Sequence, residues 1–579
     1  MNMTLKNNTS YLSNSVKRTF LNAIILLSVI CLSGFSCDRK EIQFEYVDPM
    51  EKILAESSFF PGSQEAISEV VRGEHASLQF VVRSPYTINN LRVTVTQASN
   101  KDKLLPASKV RFVGFVKVGR SIWDYSRDRI NSPSGYFPDP LLEEDEIDVK
   151  FGNSQPIWIT IPIPSDASPG LYSGKVIING NIENKEFHIE KDYSVRVYPV
   201  TIDKTSLWVT NWFTIDAAQL KWMNRGEDFE SFSPQHWEYI RKLAKMMAEY
   251  RQNSARISPL DLSDFAFING KWQVDFSRFD KVVEIFIQEG VIGRLEGGHI
   301  GTRESNWDSQ FVVRVPSVDR NAENRFEKLP LSNERAQQFY VDFFTSLKQH
   351  LKEKGWEGSY LQYIADEPTS SNVQSYVEIA RFVKQVYPEI KIIEATHSKD
   401  LEDIVDIYVP QLDFMNKDYD FYNNINKNSE GKEAWFYTCL SPKGEYANRF
   451  IELPLLKTRY IHWLNFKYNI PGYLHWGLNH WRTDPWDEQT SINYEGGNIL
   501  PGGDSWIIYP QGDKLLSSIR FEAMRDGIVD YELFKMLEKK DPEAARDIID
   551  KVIYSYTRYD NNIAAFREHR RKLMELLSE

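Results

Sequence analysis

Cysteine is nearly missing from this chain of 579 residues, which has three. Cys31 falls in an apolar leader, Cys37 closes it, and Cys439 stands alone in "WFYTCL". No framework of intrachain disulfides is therefore available, and Cys439 reads as a small buried apolar side chain. Basic stripes are also lacking and the net charge is −12, which argues against a nucleic-acid partner. The one apolar run of note, residues 20–32, is too short and wrongly flanked for a stable spanning helix. His-Glu-x-x-His, Cys-x-x-Cys and calcium-loop patterns are absent, so no metal is implied. Gly-x-Ser-x-Gly and phosphate-loop patterns are absent as well, and no cofactor is called for.

What is present begins with a leader. Lys17 and Arg18 precede the apolar run, and "SGFSC" follows it. A positive start, a short apolar stretch and small residues before a break form a secretory signal. Ser36-Cys37 resembles a bacterial lipobox, with cleavage before Cys37 and lipid on its thiol; the alternative is a plain signal peptide. Residues 1–36 carry three basic and no acidic residues, so their removal takes the net charge from −12 to −15. The expectation is a periplasmic or cell-surface protein that meets the membrane only through lipid on Cys37. Aromatics reach 13%, with 15 Trp and 29 Tyr. That abundance fits either large cores or a surface for sugar rings.

Residues 37–200 read as strands and turns. "HASLQFVVRS", "LRVTVTQAS", "QPIWITIPIP" and "GLYSGKVIING" alternate or run apolar, with turn residues between them, the pattern of a β-sandwich. Past residue 201 strands alternate with helical periods. Ser233-Pro234 starts one helix, residues 279–288 form another, and a third runs from Ser332 to the C-cap Gly355. Helices at 372–386 and 453–468 follow, and "KLLSSIRFEAMRDGIVDYELFKMLEKK" reads as the eighth. About eight strand-helix units predict a (β/α)8 barrel over 201–540, with a helical extension over 541–579. The predicted fold class is thus multidomain: sandwich, barrel, helical tail.

"LQYIADEPTS" places Asp366 and Glu367 at the end of the fourth barrel strand, where barrel enzymes hold their chemistry. The plain alternative is an acidic approach to the next helix. Neighbouring side chains on a strand leave in opposite directions, so the two acids address different atoms of one ligand. Each perturbs the other's ionisation. A two-carboxylate glycosidase needs its acids roughly 5 Å or more apart across the sugar, which adjacent residues fit poorly. They fit better if a 2-acetamido oxygen of the substrate is the nucleophile, with Asp366 polarising the acetamide N–H and Glu367 protonating the leaving oxygen.

"SPGLYSGKV", "ADEP", "PGYLHWGLNHW", "GGDSWIIYP" and "SIRFEAMRDGIVDYELF" together resemble glycoside hydrolase family 123 and its wider bacterial relatives. The resemblance implies an exo-acting, retaining β-N-acetylgalactosaminidase acting on a glycan, with Asp366 as acetamido stabiliser and Glu367 as acid/base. Trp476, Asn479, His480, Trp481 and Asp484 of "WGLNHWRTDPW" offer a subsite wall or a packed aromatic loop. Asp504 offers a grip on hydroxyls or a mere turn. His299, Trp212 and Tyr437 lie at or near strand ends as further binding candidates, with Glu296 and His397 behind them. Two rivals stand beside this reading. One is a conventional retaining glycosidase with Glu296 or Asp504 as nucleophile. The other is a non-catalytic glycan-binding lipoprotein.

Overall fold

The computed structural model describes residues 41–57, 65–119, 127–318, 324–401, 403–487, 492–493 and 499–579. The leader and Cys37 lie outside them.

The N-terminal region is sheet-rich. One sheet orders its strands Gln43–Val47, His75–Arg83, Ser154–Pro162, Lys109–Lys117 and Tyr136–Leu142, all antiparallel. The other runs Ile67–Arg72, Lys185–Thr201, Gly170–Ile182, Ile88–Val95 and Ile147–Val149, with one parallel pair at its Ile67 edge. The sheets share a core in which Phe80, Ile157 and Ile159 of the first meet Val176, Ile178 and Val195 of the second. Alternation along Ser154–Pro162 explains why this strand is buried on both faces. Ile157, Ile159 and Ile161 enter that core, while Trp158 points the other way into the core of the C-terminal region.

The C-terminal region carries parallel strands β1 (Trp208–Asn211), β2 (Ser254–Arg256), β3 (Arg294–His299), β4 (Tyr360–Tyr363), β5 (Lys391–Ala395), β6 (Ile407–Val409), β7 (Phe436–Thr438, just after the short strand Glu433–Ala434) and β8 (Gly472–His475). Parallel pairing links β2 through β6 in sequence and continues onto Glu433–Ala434, and separately links β7, β8 and β1. Asn253 bridges β1 to β2: its side-chain oxygen accepts from the Val209 N–H at 2.9 Å and its own N–H donates to the Val209 carbonyl at 3.3 Å.

Helices α1 (Pro234–Glu249), α2 (Ser277–Glu289), α3 (Glu334–Lys354), α4 (Val373–Val386), α5 (Tyr419–Asn428), α6 (Leu455–Lys467) and α7 (Ile519–Lys540) lie between or after the strands, and α8 (Pro542–Val552) and α9 (Ile563–Ser578) finish the chain. Ser233 caps α1 and Pro234 occupies its first turn, while Gly355, at φ +72°, ends α3.

Two expectations need correction. The β5–β6 connection, residues 396–406, holds no helix among its described residues, because eleven residues are few for a helix and two loops. Between β3 and α3 the chain instead makes an antiparallel excursion, Gly301–Arg303, Phe311–Pro316 and Phe326–Leu329.

Candidate active site

A pocket of about 710 Å³ opens at the carboxyl ends of the parallel strands, and all eight contribute to it. Trp212 follows β1, Arg256 ends β2 and His299 ends β3. Asp366 and Glu367 follow β4; Ala395 and His397 come from β5, Gln411 from β6, Tyr437 and Cys439 from β7, and Leu474 and Trp476 from β8. A larger cavity of about 910 Å³ lies between the N-terminal sheets and α9, but its arginines are spent on neighbouring carboxylates, as in Arg567–Asp48, Arg570–Glu74 and Arg571–Glu69.

Among the described lining residues of the 710 Å³ pocket, Asp366 and Glu367 are the only carboxylates. Glu367 takes a left-handed backbone, φ +47°, which costs a non-glycine residue energy and recurs at functional sites. Its carbonyl accepts from Arg303 Nη2 at 2.9 Å, and its Oε1 accepts from the Tyr437 hydroxyl. Burial, reinforced by the Asp366 charge, lifts the Glu367 carboxyl to about 7 against the pull of Tyr437 and Arg303. A carboxylic acid with that value is a proton donor at neutral pH and a base once the proton has left. Asp366 is half-exposed; burial of its surroundings raises it, and Arg256 and Arg303 oppose the rise. His397 Nε2 lies 3.2 Å from the Tyr437 hydroxyl, with its ring stacked on Phe414 at 3.8 Å between centroids. Since Tyr437 gives its proton to Glu367, His397 is the donor to Tyr437, and a three-group chain ends on the acid.

His299 reaches the pocket because β3 is irregular. The pairing of β3 with β4 slips between Glu296 and His299, and Gly298 there has φ +74°. Arg256 Nη2 lies 3.2 Å from His299 Nδ1, which assigns the ring proton to Nε2. Burial and three nearby arginines keep this imidazole neutral. Nε2 faces Glu394 Oε1 at 3.4 Å and Asp366 Oδ1 at 3.9 Å. Glu394 is fully buried on β5, and burial pushes its carboxyl well above the usual range. Its Oε2 accepts from the backbone N–H groups of Ile364 and Ala365, at 3.0 and 3.2 Å, immediately ahead of the acid pair.

Of the residues expected at the site, Trp212, His299, Tyr437 and Trp476 line the pocket with the acid pair. Asn479, Trp481 and Asp504 do not, and each is fully buried. Asn479 clamps Thr214, accepting from its N–H at 2.9 Å and donating to its carbonyl at 3.0 Å. Trp481 donates to the Ile508 carbonyl at 3.1 Å. Asp504, lifted to about 7 by burial, accepts the Trp476 indole N–H at 3.2 Å from behind. Glu296 is buried in the same way behind the other indole, accepting from Trp212 Nε1 at 3.0 Å, Tyr363 at 3.1 Å and Ser254 at 2.5 Å. Both wall tryptophans are thus held by acids that a ligand cannot reach.

Sequence reasoning missed Arg256, Arg303, Trp307, Gln411 and Glu394. Glu394 left a signal, being one acid inside the apolar "IKIIEA" strand. Arg303 and Trp307 left none, because they sit in the excursion after β3. Cys439 is in the pocket wall, its Sγ 3.8 Å from Gln411 Oε1.

Residues 218–537 match the model of the glycoside hydrolase 123 catalytic domain, and residues 63–180 that of the glycoside hydrolase 123 N-terminal domain. The chain belongs to glycoside hydrolase family 123. A family 123 glycoside hydrolase from Clostridium perfringens, described for glycolipid glycan hydrolysis, shares the fold at a TM-score of 0.70 and 18% identity, over 93% of this chain and 97% of that one. A β-glucuronidase from Parabacteroides merdae matches at a TM-score of 0.26 and 12% identity, over 75% of this chain and 47% of its own, too weakly to carry an argument. No curated protein matches the chain. As a family 123 member the chain is a glycoside hydrolase. The resemblance carried by "ADEP" and the aromatic stretches thus leads to the right family.

Proposed function

We propose that this family 123 enzyme releases terminal β-linked N-acetylgalactosamine from a glycan, with retention, using the substrate's own acetamido oxygen as nucleophile. The eight parallel strands are then read as a closed (β/α)8 barrel, and the two N-terminal sheets as a β-sandwich. The observation that carries the mechanism is the poverty of the pocket's described lining in carboxylates. Asp366 and Glu367 are adjacent in the chain, and the two acids that a conventional retaining pair would recruit, Glu296 and Asp504, are fully buried behind Trp212 and Trp476. A nucleophile supplied by the substrate needs neither.

In the first step the protonated Glu367 gives its proton to the glycosidic oxygen as the C1–O bond breaks. The acetamido oxygen attacks C1 from the opposite face and forms an oxazoline-type intermediate. Asp366 holds the acetamide N–H and balances the positive charge that develops on it, while His299 Nε2–H steadies the Asp366 carboxylate. Glu367, now ionised, removes a proton from water, which opens the ring at C1 and restores the β configuration. Trp212 and Trp476 give the sugar apolar walls, each held rigid by its buried acid.

The test compares nitrophenyl β-N-acetylgalactosaminide with nitrophenyl β-galactoside, for wild type, Asp366→Asn and Glu367→Gln. Turnover of the acetamido substrate alone, falling about 10²-fold or more in both variants, is expected. Equal turnover of the galactoside, or an Asp366→Asn enzyme as fast as wild type, would remove the acetamido group from the mechanism.

A further inference from the structure

Trp307 lines the pocket, yet the residue is 53% exposed, whereas Trp212 is 8% and Tyr437 4% exposed. An exposed indole on a loose turn would mean little. This one is pinned. Its carbonyl accepts from Arg303 Nε at 2.8 Å and from Asn372 Nδ2 at 3.1 Å, and the same Asn372 amide holds the Ser309 carbonyl at 3.2 Å. The Arg303 guanidinium lies 3.7 Å from the indole centroid. That guanidinium also donates to the Glu367 carbonyl, so one side chain fixes the acid/base loop and the tryptophan together.

On the reading of Glu367 as the acid, this placement has a consequence. The acid must stand beside the bond that breaks, with the terminal sugar on one side and the leaving sugar on the other. The deep end of the pocket, at the strand ends, receives the terminal sugar. What remains attached must extend toward the mouth, past the rim that bears Trp307. We infer that Trp307 is the platform for the leaving-group sugar, its open ring face stacking on a pyranose. The inference rests on the function proposed above and adds to it the subsite that selects what the terminal residue is attached to.

The test uses two substrates whose departure needs the acid equally: methyl β-N-acetylgalactosaminide, with almost no leaving group to bind, and a β-linked N-acetylgalactosaminyl-galactose disaccharide. For Trp307→Ala, kcat/KM on the disaccharide is expected to fall about tenfold or more and that on the methyl glycoside to stay within about twofold. Trp307→Phe keeps most of the disaccharide activity, and the pH profile of both variants matches wild type. An equal fall on both substrates, or a moved pH profile, would mean that Trp307 acts through Glu367 and overturns the platform. So would no fall on either. A wild-type enzyme that cleaves neither substrate instead overturns the catalytic reading, and the platform with it.

Discussion

Glu367 is pulled in two directions, and each pull belongs to a named neighbour. Burial and the Asp366 charge raise its carboxyl, while the Tyr437 hydroxyl and Arg303 lower it, leaving it near 7. The alkaline limb of kcat/KM reports the free enzyme's acid, so activity should fall as pH rises through about 7. Tyr437→Phe removes a hydrogen bond that favours the ionised form. The Glu367 value then rises, and the limb moves to higher pH. In the residual activity of Asp366→Asn, loss of the neighbouring charge moves the limb to lower pH. Profiles measured from pH 5 to 9 decide this, and a limb unmoved in Tyr437→Phe would detach Tyr437 from the acid. At this scale the sequence was most legible where the chain itself makes the contact. Asp366 and Glu367 are covalent neighbours, so their pairing could be read from "ADEP". Arg303 lies 64 residues from Glu367, and no local pattern connects them.

Between elements, the acid loop hangs on β5 as much as on β4. Glu394 sends one carboxyl oxygen to the N–H groups of Ile364 and Ala365, and burial pushes its value up, toward the neutral form. A neutral acid is well imitated by an amide. Glu394→Gln should therefore cost little stability, under about 1 kcal/mol, and retain most activity. Glu394→Ala leaves two buried N–H groups without an acceptor and should cost about 2–4 kcal/mol, with a larger loss of kcat than of substrate affinity. Urea unfolding with steady-state kinetics separates the two. A Gln variant as unstable as the Ala variant would mean that the charge, not the acceptor, is what β4 needs. Helix ends were legible here because caps are local: Ser233-Pro234 and Gly355 lie where the sequence predicts. The antiparallel excursion after β3 was not, since its strands are short, pair only with one another, and interrupt the alternation of strand and helix on which the barrel reading relied.

Across the whole molecule, the long stretch "SIRFEAMRDGIVDYELF" turns out to be a strut. On α7, Arg520, Glu522, Arg525, Asp526 and Asp530 are all buried, an arrangement tolerable only if every charge is paired. Arg520 donates from Nε and Nη2 to Asp139 of the N-terminal sheet at 2.7 Å each, and Tyr509 donates to the same carboxylate. Glu522 meets Arg111 of that sheet at 2.9 Å, and Asp530 takes Arg459 of α6 and Arg570 of α9. The sequence showed a charged helix but not that Asp139, the partner of Arg520, lies 381 residues away, so its burial could not be anticipated. Removing one member of such a pair leaves the other charged and dry, which costs about 3–5 kcal/mol. Asp139→Ala should therefore destabilise the full chain by that amount, whereas Asp139→Leu combined with Arg520→Met should cost clearly less than the sum of the single changes. Because neither residue touches the pocket, kcat/KM of the folded fraction at 25 °C should remain within about twofold of wild type. If Asp139→Ala unfolds at the wild-type urea midpoint, the sheets are not braced through this pair. If it keeps its midpoint but loses activity, the N-terminal region shapes the pocket rather than supporting the fold.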